Sequence, residues 1–258
     1  MLALWKKAAC LNVLTRLFEL GVVFSLVQSI LAVFLEEESN RYLPLALGLN
    51  CVFYKRNRNM KGRYDMRVVA YGKDNTDIIV LLHGGGLSWW NYRKEAELLQ
   101  QRYHVVLPIL DGHADSNCDF ISIRQNAEEI IAYIDRQFGG KVLLIGGLSL
   151  GGQILVEILA QRKDICRYAI IESALVKPMR LTHRLIRPSI RMSYGLIKKT
   201  WFSKLQFQSL KIQKDLYEDY YRDTCKISKN NMISFLEANS DFQIPPALYE
   251  TSAKEVLK

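Results

Sequence analysis

The sequence predicts an α/β protein built on a parallel, doubly wound sheet. Three observations predict it. Residues 78–82 (IIVLL), 142–145 (VLLI) and 168–171 (YAII) are continuous apolar runs, as in strands buried on both faces. Stretches with helical apolar spacing separate them. Glycine-rich corners stand directly after the first two runs, at 84–86 and 146–152.

The elements follow in order. Residues 67–71 read as a short strand and 72–75 (GKDN) as a turn. Strand 78–82 runs into His83-Gly84-Gly85-Gly86, and a helix is expected over 91–101. Residues 104–108 (HVVLP) form another strand. Helical spacing covers 123–138 and stops at Gly139-Gly140. After strand 142–145 a helix is expected at 150–162, then strand 168–171. From 176 to about 239 strands give way to helical spacing, with Pro178, Pro188 and Gly195 as expected breaks. The tail from Ile244-Pro245-Pro246 reads as a loop or short helix. This divides the chain into an N-terminal apolar segment (1–63), an α/β core (64–175), a helical insertion (176–240) and a last piece of core (241–258).

Composition narrows the function classes. Of 258 residues, 49% are apolar and 24% charged, which excludes a disordered chain or a fibrous repeat. The five cysteines are scattered, at 10, 51, 118, 166 and 225, with no C-x-x-C pair. That argues against a disulfide framework or a zinc site and suggests a reducing compartment. The net charge of +9 is uneven. Residues 176–214 hold ten Lys or Arg and no acid, whereas 64–175 is net −3. No nucleic-acid recognition motif accompanies this charge, so no nucleic-acid partner is expected.

The run 17–35, from Leu17 to Leu35, is nineteen residues with one charge, Glu19. As a helix it would span roughly 28 Å, close to a bilayer core. Basic residues precede it and Glu36, Glu37 and Glu38 follow. The expectation is a membrane-associated protein with its main domain on the cytoplasmic side. The alternative is a buried or amphipathic helix in a cytoplasmic protein.

The chemistry concentrates at Gly147-Leu148-Ser149-Leu150-Gly151, a G-x-S-x-G motif between an expected strand and an expected helix. Small residues at 147 and 151 let the chain reverse tightly, which lifts the Ser149 hydroxyl clear of the sheet. The helix N-terminus behind it favours developing negative charge. The Gly84–Gly86 corner lets backbone N–H groups approach a substrate oxygen. Gly85, with Gly86 beside it, and Leu150 are the candidate oxyanion donors.

Together, HGGGLSWWNY, LPILDGHADS and LLIGGLSLGG resemble the α/β-hydrolase superfamily, of the compact bacterial esterase type, over roughly residues 66–239. The resemblance implies Ser149 as nucleophile, backbone donors at Gly85 and Leu150, a helical cap at about 176–240 and a small-molecule acyl substrate. It offers Glu172, at the end of 168–172, as the triad acid that some members carry there. Read from its residues alone, Glu172 is a strand-end carboxylate facing cap or solvent. No cofactor and no metal are implied.

The chain departs from that pattern after the cap. The family continues with further strands and a late catalytic His, and this sequence reaches Lys258 where the next strand would begin. The fold is therefore expected to lack the last strands, and strand 168–171 to be an exposed edge open to self-association. The four histidines are His83, His104, His113 and His183. His83 and His113 read as structural and His104 as a strand residue. His183, in the cap, is the candidate to reach Ser149. The basic cap, with Trp201, Phe202 and Phe207 among Lys198, Lys199, Lys204 and Lys211, reads as a solvated helical face over buried aromatics. The competing reading is a lid facing an anionic lipid or substrate.

Overall fold

A computed structural model describes residues 66–210, 212–250 and 254–257. The apolar run 17–35 and Lys211 lie outside them. Among the described residues no helix is long and apolar enough to cross a membrane.

Six strands form one sheet: β1 (Val68–Tyr71), β2 (Ile78–Leu82), β3 (His104–Pro108), β4 (Val142–Leu148), β5 (Cys166–Glu172) and β6 (Lys254–Leu257). Their order is β1-β3-β2-β4-β5-β6, with β1 antiparallel to β3 and every other pair parallel. Helices α1 (Arg93–Leu99), α2 (Ile123–Phe138) and α3 (Leu150–Gln161) connect the strands. The cap holds α4 (Arg180–Ile197), α5 (Thr200–Ser209), α6 (Tyr217–Thr224) and α7 (Lys229–Asp241).

Local chemistry sets these boundaries. The Ser122 hydroxyl accepts the Gln125 N–H and starts α2, and Gly139 ends it in the left-handed region at φ 66°. Ser228 caps α7 in the same way through the Asn231 N–H. The core lies between β2, β4 and β5 and helices α2 and α3, where Val80, Ile145, Ile154, Ile158 and Ala169 are fully buried.

Four sequence expectations are corrected. First, β4 and β5 run further than their apolar runs, to Leu148 and Glu172. Gly146 and Gly147 stay extended because each pairs with a neighbouring strand, Gly147 with both Leu82 and Ile171. Second, the helix expected at 91–101 is split, with a 3-10 turn at Trp89–Tyr92 preceding α1. Third, Pro188 and Gly195 do not break α4. Both Pro188 and Arg184, whose carbonyl loses its donor, face solvent, so water can satisfy the carbonyl. Fourth, the tail is not simply loop or short helix, and β5 is not an edge. After the 3-10 turn Pro246–Glu250, β6 pairs in parallel with β5, from Tyr168↔Lys254 to Ile171↔Leu257. Unpaired β5 amides and carbonyls are a strong template, and residues 254–257 occupy it. The self-association surface expected on β5 is thereby covered.

In the cap, Phe202 and Phe207 are buried while Trp201 is 56% exposed. Phe207 packs with Leu87, Trp90, Leu216 and Tyr220, so it joins the cap to the loop after the glycine corner.

Candidate active site

Ser149 stands between β4 and α3 with φ 52° and ψ −111°, a strained setting for a non-glycine residue. Its N–H donates to the Glu172 carbonyl at 2.8 Å, and its carbonyl accepts the Gln153 N–H at 3.0 Å. The chain thus leaves the sheet at Ser149 and enters a helix at the next residue. The turn requires its glycines. A Cβ at Gly147 would meet the Gly151 carbonyl, and one at Gly151 would meet the Leu82 carbonyl.

The glycine corner lies against this turn. A Cβ at Gly85 would sit 3.7 Å from the Leu150 Cβ and 3.3 Å from the Phe235 ring. A side chain there would fill the space between corner and cap. Leu150 opens α3, where the first N–H groups have no partner within the helix. Gly86 is different. Its N–H donates to His113 Nε2 at 3.0 Å, which removes it from the candidate donors. It contributes lining instead.

His83 and His113 are buried struts. His83 Nδ1 lies 2.9 Å from the Gly84 carbonyl, and its Nε2 accepts the Leu110 N–H at 3.1 Å. His113 Nδ1 lies 3.0 Å from the Asp111 carbonyl, and its Nε2 accepts from Gly86. Each ring therefore donates from Nδ1 and accepts at Nε2, which fixes the neutral form. The rings meet edge-on at 4.9 Å, and His113 stacks on Phe235 at 4.7 Å. Burial, followed by the neighbouring His113, lowers His83 from 6.5 to about 3. Burial lowers His113 to about 4, against the raising effect of its backbone hydrogen bonds.

These depressed values predict acid sensitivity. The unfolded chain takes up protons near pH 6.5, whereas the native histidines do not until about 4 and 3. Their stabilising contribution is complete above pH 6.5 and is lost as pH falls toward 4. The expected slope is about 1.4 kcal/mol per pH unit for each histidine. Urea midpoints at intervals from pH 7 to 4.5 check this, and His113→Gln should flatten the slope. A midpoint independent of pH between 6 and 5 would overturn it.

No histidine serves Ser149. All four lie among the described residues, and both nitrogens of His83 and of His113 are engaged as above. His183, the cap candidate, is a correction. Its Nδ1 lies 3.2 Å from the Glu237 carbonyl and 3.1 Å from Ser240 Oγ, joining α4 to α7. His104 opens β3 and stacks edge-on against Phe138 at 5.5 Å. Among the described residues, no side chain hydrogen bonds to the Ser149 hydroxyl. Glu172 ends β5 beside the serine, with its carbonyl on the Ser149 N–H and its side chain exposed. Its charge is felt by Tyr92, whose phenol is pushed up by burial first and by Glu172 second. Glu172 is therefore near the turn but orients no histidine.

A cleft opens between the glycine corner and the cap, with an empty volume of about 480 Å³ including its mouth. Gly85 and Gly86 line one side, and Ile197, Leu210, Met232 and Phe235 contribute from the cap. Ser149 is not among the lining residues. Reasoning from sequence missed what fastens the cap. Buried Asp223 on α6 accepts the Trp90 indole N–H at 2.8 Å, and Arg93 pairs with Asp219 at 2.7 Å. Nothing in the run DLYEDYYRD distinguishes the one acid that faces a tryptophan.

A family model described as "Alpha/beta hydrolase family" matches residues 79–248. Several solved structures share the fold. An esterase from Exiguobacterium antarcticum superposes with a TM-score of 0.62 at 16% identity, over 74% of this chain and 75% of that one. An enol-lactonase from Burkholderia xenovorans LB400 gives 0.60 at 14% identity, over 74% and 76%. A thermophilic esterase from Thermogutta terrifontis gives 0.59 at 14%, over 74% and 73%. No curated protein matches the chain.

Proposed function

Since the chain belongs to the alpha/beta hydrolase family, we propose that it is a serine hydrolase acting on ester-like or other acyl substrates. The observation that carries this is Ser149 at φ 52°, held at a strand-to-helix turn and flanked by Leu150 and Gly85. Ser149 Oγ attacks the acyl carbonyl and forms the C–O bond as the carbonyl π pair moves to oxygen. The Gly85 and Leu150 N–H groups receive that oxyanion. Its collapse expels the leaving group and leaves an acyl-serine, which water then hydrolyses. Both steps need a base for the attacking O–H proton.

One observation favours a second reading. The chain's four histidines all make other contacts, so no imidazole of this chain stands at Ser149. In that reading the domain binds an acyl ligand without turnover. Loss of a triad member leaves only the slower catalysis of the oxyanion donors and binding.

A fluorophosphonate probe on the full chain separates the two. The first reading expects covalent labelling that disappears in Ser149→Ala. Absence of labelling in a protein whose circular dichroism shows an intact fold would leave the binding reading alone.

A further inference from the structure

The cleft beneath the cap carries no charged side chain. Its walls are chiefly apolar, and the polar groups among them are neutral: Gln206, Tyr220 and Thr224. Two of these have partners. Tyr220 and Thr224 hydrogen bond to one another, and Thr224 Oγ1 lies 3.5 Å from the Gly86 carbonyl. Gln206 on α5 does not. The residue is 3% exposed, and its Nε2 has no hydrogen-bond partner among the described residues. A buried amide donor left unpaired beside a cavity opposes folding, so it marks a place where a ligand acceptor would be gained.

We propose that this cleft holds the acyl part of the substrate, and that this part is uncharged, apolar along its chain and marked by one neutral oxygen acceptor received by Gln206 Nε2. A keto or ether oxygen satisfies that donor. A carboxylate would enter an apolar cleft with no cation to meet it, and a plain alkyl chain would leave the amide unpaired. The direction of entry, with the reacting carbonyl at Gly85, rests on the function proposed above. The cleft and its unpaired amide do not depend on turnover. Gln206 is thus a specificity residue, selecting an oxygenated chain over a hydrocarbon one.

The test uses an isosteric pair, 2-octanone and 2-methyl-1-octene, titrated into the full chain by ligand-observed NMR. They differ only in an oxygen where the other has a methylene. The wild type is expected to favour the ketone about tenfold, which corresponds to about 1.4 kcal/mol. In Gln206→Met, a linear apolar replacement, the preference should fall to near one. The melting temperature of that variant should hold or rise, since an unpaired buried donor has been removed. Ser149→Ala should bind both compounds as the wild type does, so loss of labelling at Ser149 would sink the hydrolase reading and not this one. A wild-type ratio near one, or a ketone preference that survives Gln206→Met, overturns the proposal. The wild-type ratio decides it even if the variant does not fold.

Discussion

Gly151→Ala should cost about 4 kcal/mol or more, enough to prevent the native turn from forming. The expectation follows from what the added methyl would meet. It would fall on the Leu82 carbonyl oxygen, with the Leu82 carbonyl carbon and the His83 carbonyl oxygen each within 2.7 Å. These are backbone atoms of β2 and of the corner behind it. Leu82 pairs with Gly147 on β4 and is fully buried, so it cannot yield as a flexible side chain would. Relief would require α3 to move away from the end of β2. That movement would separate Leu150 from Gly85 and dismantle the candidate oxyanion site. Gly195→Ala is the internal control. It lies in α4 with open space where its Cβ would be, and should stabilise by about 0.5–1 kcal/mol. Denaturant unfolding of both variants checks the pair. A Gly151→Ala protein as stable as the control would show that the turn is looser than described.

Asp223→Ala should lower stability by about 3 kcal/mol and loosen the cap from the core. Asp223 is 1% exposed. One oxygen takes the Trp90 indole N–H at 2.8 Å and Arg222 Nη2 at 2.9 Å, while the other takes Arg222 Nε at 2.6 Å. Removing the carboxylate leaves the fully buried Trp90 with an unpaired donor. Arg222 loses less, because it is half exposed and keeps Asp219 at 2.7 Å. Asp223→Asn should therefore cost distinctly less than Asp223→Ala, since an amide oxygen can still accept from Trp90. A double-mutant cycle with Trp90→Phe isolates the contact. Equal losses for Asp223→Asn and Asp223→Ala would mean that charge, not the indole hydrogen bond, holds the cap.

The motifs that could be read from sequence are those in which one short stretch carries its own reason. The run IIVLL ending in HGGG, and VLLI ending in GLSLG, each contain a strand, a stop and the small residues that permit a turn. Ser149, Gly85 and Leu150 fall where that reading places them. Gly86 does not act as expected, because its N–H belongs to His113, twenty-seven residues away. Pro188 and Gly195 misled for the opposite reason. Their local cost is real, but burial of Ile186, Ile190 and Ile197 on the other face of α4 outweighs it.

By itself, the sequence determined the α/β architecture, the serine turn and the glycine corner, because apolar periodicity and glycine spacing act over a few residues. Only the tertiary structure decided that β6 closes the edge of β5, that Asp223 fastens the cap through Trp90, that no histidine meets Ser149, and that Gln206 keeps an unpaired donor at the cleft. Each of these joins groups distant in the chain, and whether a polar group is satisfied depends on partners that no local pattern encodes.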